Sequence, residues 1–218
     1  MTPVIRWAGV ALVAMMPFHV ALRPEHGWLL LSTCDVAAMV TAVALVAGWH
    51  RAVAVAFLFQ IAVGLPAFAI GLCSTYPLNP TGTVVHIVPP LLGAIVVAQH
   101  GLPARAALHA WLGYTTTFVA SYLAVPAQLN INFAHFVWPP LARAFPVAWS
   151  FQAALLALVG VLLALAELAI RRLWRPACTD SVSSGPAPAR MPLRGTARSR
   201  AGAAAAARAA GSRRSPRR

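Results

Sequence analysis

The sequence has no lysine, and only four acidic residues among its 218. Charged residues make up 10% of the chain, where a soluble domain carries roughly 25%. That shortage excludes an ordinary soluble globular enzyme. Cys-x-x-Cys pairs are also missing. Cys34, Cys73 and Cys178 stand far apart, and no group of cysteines and histidines has zinc-ligand spacing. Neither a metal nor a cofactor is therefore expected. A cleavable signal peptide is not expected at the start. The first apolar run contains Pro17 and His19, lacks a small-residue cleavage pattern, and is followed by further apolar runs.

What the chain has in abundance is apolar sequence, 60% of all residues. A membrane-spanning helix needs about 20 largely apolar residues. Six segments meet that pattern, at 4–22, 27–48, 52–72, 83–99, 105–125 and 147–171. Polar or proline-bearing stretches separate them: RPEH, WHR, CSTYPLNPTG and HGLPAR. The separator at 126–146 is longer, and too rich in proline and polar groups to cross a bilayer as one helix. Pro89 and Pro90 remove backbone donors, so a kink is expected beside His86. The expected fold is all-α: a bundle of about six transmembrane helices over residues 1–175. Residues 176–218 form the second part, an Arg/Ala/Pro-rich tail expected to be disordered because it has almost no bulky apolar side chain to bury.

All 17 basic residues are arginine, and nine of them lie in that tail. The positive-inside rule then puts the tail in the cytoplasm, and six spans bring the N-terminus, with Arg6, to the same side. The alanine, proline and arginine bias points to a GC-rich bacterial genome, so the expected location is a bacterial plasma membrane. Expected partners are membrane lipids, with the basic tail against the anionic leaflet at about 1 kcal/mol per arginine. Charge alone would also suit nucleic acid, but no aromatic or folded platform accompanies it, so no specific nucleic-acid partner is expected. The oligomeric state is left open.

On this topology most unusual polar groups fall toward the outer half: His19, Cys34, Asp35, Cys73, His86, Asn130, Asn132 and His135. Cys34 and Asp35 are expected about 10 Å down the second helix. Gln60 and Glu167 are assigned to the inner half. Ionisable groups within a membrane are costly and each needs a partner or a role. A cysteine with a histidine in reach can perform nucleophilic acyl transfer. Cys34 would be the nucleophile and His86 the base, with Asn130, Asn132 or Asp35 orienting the imidazole. Arg23 or Arg143 would hold a lipid phosphate at the rim. Plainer readings stand beside this one. Cys34 can be a small buried hydrophobe or half of a disulfide with Cys73. His86 can bond a carbonyl freed by the prolines, Asp35 can pair with a histidine or arginine, and Asn130, Asn132 and His135 can satisfy an irregular loop. Cys178 reads as a free tail thiol or a lipidation site.

The order of motifs also resembles a known family. A cysteine sits in the stretch LSTCDVAAM, followed by an LNPTG turn and a helix opening VVHIVPPLLGAIVV. Then come SYLAVPAQLNINF, the pair Pro139 and Pro140, and a last helix. Over residues 27–172 this resembles the bacterial YwaF-like integral membrane family. That family is related to the transmembrane protein 164 cysteine acyltransferase, which acts on phospholipids, and more distantly to multipass lipid-ester hydrolases that use threonine and histidine. The resemblance implies that Cys34 and His86 match the family's cysteine and histidine, and that Asn130 or Asn132 matches its asparagine segment. Ser32 departs from the pattern, standing where the family often has a histidine. Asp35 and the arginine-rich tail have no counterpart. The rival expectation is a non-enzymatic membrane protein, either a small proton-coupled carrier or a structural one.

Overall fold

The computed structural model describes residues 1–22, 24–74 and 80–174. The basic tail with Cys178, the rim residue Arg23 and the start of the LNPTG turn lie outside the described residues. Every regular element among the described residues is helical. They are α1 (Pro3–Ala21), a 3-10 segment (Pro24–Leu31), α2 (Thr33–Ala47), α3 (His50–Phe59), a π turn (Gln60–Gly64), α4 (Leu65–Ser74), α5 (Pro80–His100), α6 (Ala106–Ala124) and α7 (Ala148–Leu173). Four helical stretches are long and apolar enough to cross a membrane: Pro3–Ala21, His50–Cys73, Pro80–His100 and Ala148–Leu173. α2 is shorter, and α6 carries a polar YTTT run. Thr115, Thr116 and Thr117 each donate a hydroxyl to the carbonyl one turn back, at Trp111, Leu112 and Gly113. Their hydroxyls are thus paired within the helix itself.

α3 is the central helix. Val53, Ala54 and Leu58 are fully buried. On one side α3 packs with α2 and α5, through Ala42, Leu45 and Val96, and α1, packed on α2 and α5, adds Ile5 and Leu12 to the same cluster. On the other α3 packs with α2, α6 and α7, through Ala37, Ala110, Tyr114, Val159 and Leu163. Small residues let the helix backbones approach closely. Gly93 on α5 is such a place, because a β-carbon there would stand 2.6 Å from Phe57 Cβ on α3. Gly93→Ala is expected to cost about 1–3 kcal/mol through overpacking. Thermal unfolding in detergent checks it, and an unchanged midpoint would show that α3 and α5 can slide apart freely.

The start of α2 corrects the sequence expectation. The predicted helix 27–48 is two elements, a 3-10 segment and then an α-helix beginning at Thr33. The physical cause is a cap. The Ser32 hydroxyl accepts the Asp35 backbone N–H at 3.3 Å, and donates to Asp35 Oδ2 at 3.1 Å. This is half of a capping box, the Ser32 side chain on the Asp35 amide, with the acid at the third helical position meeting the Ser32 hydroxyl instead of its backbone N–H, and the helix dipole also favours negative charge there. Gly48 ends the helix with φ +77°, and Trp49 N–H reaches back to Ala44 O at 2.8 Å. Ser32→Ala is expected to cost about 1 kcal/mol, read as a lower unfolding midpoint with no change in helix content.

The other long helices fall close to expectation. α1 and α5 run through their internal prolines, Pro17 in the first and Pro89 and Pro90 in the second. The 126–146 separator is not a spanning helix. It folds as three short 3-10 turns at 127–129, 131–133 and 139–141. Gln152 on α7 ties it down by donating to Ala134 O at 2.6 Å. At the opposite end of the bundle Glu167 accepts the Ala107 N–H at 2.6 Å, capping α6 from α7, and pairs with Arg171 at 2.7 Å. Arg171 in turn donates to the Leu102 and Pro103 carbonyls.

Candidate functional site

The cap at Ser32 puts Cys34 at the second position of α2 and Asp35 at the third. Asp35 is 5% exposed. Its carboxylate stands 3.8 Å from His19 Nε2, and His19 Nδ1 lies 2.9 Å from the Thr81 hydroxyl. One polar chain therefore links the ends of α1, α2 and α5. Asp35 has a structural role, fixing the start of α2 and drawing the three helix ends together.

Asn132 makes the second fixing. It sits at φ +59° in the separator, a left-handed conformation that asparagine tolerates better than most residues. Its Oδ1 accepts from Thr33 N at 3.0 Å and from the Thr33 hydroxyl at 3.2 Å. Its Nδ2 donates to Leu31 O and to the Ser121 hydroxyl, both at 2.8 Å. All four hydrogen-bonding positions of the amide are used. Asn132 thus holds the junction at which the 3-10 segment becomes α2. Asn130 works within its own loop: Oδ1 accepts from the His135 and Phe136 amides, and Nδ2 donates to Phe136 O. His135 places Nε2 3.2 Å from Val125 O and stacks on Tyr122. The exposed Arg143 stands farther along the same separator.

Cys34 is half-buried, and both Cys34 and Cys73 are free thiols, so the disulfide alternative does not hold. The Cys34 sulfur faces Gly64, at 3.6 Å from the point where a β-carbon would stand. Gly64 closes the π turn in the rod His50–Cys73. At 1.5 Å per residue that point is about 14 Å from the rod's end at Cys73, a little deeper than the 10 Å expected. His86 stacks on Phe68 with ring centroids 4.2 Å apart. Gly64 and Phe68 are four residues apart on one helix, so they share a face one turn apart. Cys34 and His86 therefore look onto neighbouring steps of the same face of the same helix. Among the described residues no hydrogen bond joins them.

The tautomer of His86 follows from its one hydrogen bond. Nδ1 lies 2.7 Å from Gly82 O. A carbonyl can only accept, so Nδ1 carries the proton and Nε2 presents its lone pair. That is the form a general base requires.

Gln60 lay outside the expected site. It opens the π turn, one turn before Gly64, and is 3% exposed. Both its Nε2 and Oε1 are buried without a hydrogen-bond partner. Leaving such groups unmet costs about 1–3 kcal/mol each, and π turns of this kind often mark functional positions. The signal was present as a lone amide in the run VAVAFLFQIAVG, but its assignment to the inner half separated it from Cys34. Gln60 stands ten residues from His50 and thirteen from Cys73, just on the His50 side of the rod's middle, and its Cβ stands 3.8 Å from the same point above Gly64 that Cys34 Sγ approaches.

Beside this set an open cavity of about 100 Å³ runs between α2, α3 and α6. Its walls include Ala37, Val40, Val55, Ala56 and Phe59, with Tyr114 on the α6 side. Thr33 and Thr117 stand at the end nearer Cys34, and His109 at the other. Among the described residues no group of three or more His, Cys, Asp or Glu side chains could hold a metal ion. No protein-family model matches the chain, and no curated protein or solved structure does either.

Proposed function

We propose that the protein is a multipass membrane protein of six spans that transfers or hydrolyses acyl groups of membrane lipid esters, with Cys34 as nucleophile and His86 as base. The observation that carries this reading is the fixed His86 tautomer, with Nε2 free, on the helix face that also receives the Cys34 sulfur. In the proposed step His86 Nε2 takes the Cys34 thiol proton as the sulfur bonds to the acyl carbon. The ester C–O bond then breaks, and the leaving oxygen receives that proton from His86. A thioester on Cys34 results, which water or a second lipid alcohol cleaves. Both termini would be cytoplasmic, with the arginine tail against the anionic leaflet of a bacterial plasma membrane.

The test is detection of a hydroxylamine-labile acyl group on Cys34 after incubation with a lipid ester donor, with Cys34→Ala as the blank. A wild-type protein that never carries the label ends the proposal.

A second reading has its own support. Asp35, Asn130, Asn132, His135 and Glu167 all serve backbone groups or helix ends. A non-enzymatic membrane protein, whose polar groups only bind its helices together or line a small carrier path, needs nothing more from them. Gln60 is the described residue that this reading leaves without a purpose.

A further inference from the structure

The buried polar groups of this molecule are generally matched. Serines, threonines, asparagines and acids in the bundle reach carbonyls, amides or one another. Gln60 departs from that pattern with an entire primary amide, two donors and one acceptor, in the bundle interior. A packed apolar side chain would serve the fold better there. A buried polar group with no partner in the protein calls for one outside it.

The surroundings define that partner. On α3, Ala56 lines the cavity between α2, α3 and α6, and Gln60 follows it one turn later. On α2, Ala37 lines the same cavity, and Cys34 precedes it by three residues. Gln60 and Cys34 therefore stand side by side along one flank of an apolar groove, near its Thr33 end, on the helix faces next to those that line it. Above Gly64 the Cys34 sulfur and the Gln60 stem converge, 3.6 and 3.8 Å from the point where a β-carbon would stand. A ligand for this arrangement has an apolar chain for the groove and a polar end that accepts a hydrogen bond from an amide N–H. A carbonyl at the end of an alkyl chain has that form.

We propose that Gln60 and the groove between α2, α3 and α6 form a binding site for a single long-chain acyl ester, with the Gln60 amide donating to its carbonyl oxygen. The inference rests on the acyl-transfer reading for the identity of the carbonyl and adds a role to it. As the carbonyl carbon becomes tetrahedral, its oxygen gains negative charge, and an N–H already aimed at it stabilises that charge more than it stabilised the ester. Donors of this kind contribute about 100- to 1,000-fold to rate. The tetrahedral carbon would stand above Gly64, between Cys34 Sγ and Gln60.

Gln60→Met tests this in the full-length protein, purified in a maltoside detergent, which has no ester carbonyl. Methyl laurate is the probe. Three results are expected together. Without ligand, Gln60→Met melts a few degrees higher than wild type, because an unmatched amide has been replaced by a thioether of similar length. Methyl laurate raises the wild-type midpoint and leaves that of Gln60→Met unchanged. Acylation of Cys34 by the same ester is 100- to 1,000-fold slower in the variant. A variant that melts lower, or does not fold, shows that the amide is matched within the protein and overturns the proposal. So does an equal ligand shift in both proteins, or none in either. The two readings fail separately. A Gln60-dependent ligand shift with no thioester in wild type leaves the binding site and removes the transfer chemistry. Equal acylation of Cys34 in wild type and Gln60→Met keeps the transfer chemistry and removes Gln60 from it.

Discussion

Replacing Asn132 with alanine is expected to destabilise the protein by about 3 kcal/mol, a fall of about 6–12 °C in unfolding midpoint for a chain of this size. The substitution strips partners from the Thr33 amide and hydroxyl, the Leu31 carbonyl and the Ser121 hydroxyl at once. Ser121 still reaches Leu31 O at 3.2 Å, which limits the loss and keeps the estimate below the sum of four bonds. The Thr33 amide is among the first N–H groups of α2, which have no partner within the helix. Away from bulk water, that amide has nothing to replace the Asn132 oxygen. Alanine also inherits φ +59°, which costs an ordinary L-residue roughly 1–2 kcal/mol. Asn132→Gly removes the same hydrogen bonds without that strain, so it should melt above Asn132→Ala by a few degrees. Equal midpoints for the two variants would mean that the separator relaxes to another backbone conformation. A wild-type midpoint for Asn132→Ala would show that the junction holds without its clamp.

The reach of Asn132 also shows where the sequence stops being informative. The long helices were legible because each is a continuous apolar run ended by proline, glycine or charge. α6 and α7 begin and end within two residues of expectation. The start of α2 was missed although its signal was present. Ser32 and Asp35 have the spacing of a capping box, but the preceding GWLLL is as apolar as the helix itself, and apolarity does not separate a 3-10 turn from an α turn. Asn132 and Thr33 lie 99 positions apart, and no local pattern joins them. Gln60 was visible as an oddity, yet its lack of a partner is a property of the packed bundle. The π turn that displays it has no sequence signature of its own, and it also turns Gly64 toward Cys34. The polar residues were thus found, and several have the plainer roles weighed for them: Asn130, Asn132 and His135 meet backbone in and beside an irregular loop, and Asp35 pairs with Ser32 and His19. Gln60 joins Cys34 and His86 as an unassigned group.

The His86 variants carry the largest expected effect on activity. His86→Phe should slow acylation of Cys34 by about 100- to 10,000-fold, the usual contribution of a positioned base. Phenylalanine is the informative choice, because the imidazole ring lies flat on Phe68 with an interplanar angle of 11°. A phenyl ring keeps that stacking and removes both nitrogens. The Gly82 carbonyl loses the Nδ1 proton it accepts, so a small fall in stability is expected, while His86→Ala also empties the space beside Phe68 and should fall further. If His86 is the base, the two variants share one low rate and differ in melting temperature. If His86 only supports packing, the rate follows the melting temperature, and His86→Phe stays close to wild type. The pH dependence gives a second separation. A base must be neutral to take the thiol proton, so the wild-type rate should rise with pH through the imidazole titration and then level. In His86→Phe that step should vanish, leaving a rate that climbs with the thiolate fraction alone. A variant that keeps the wild-type profile removes His86 from the chemistry, whatever becomes of Cys34.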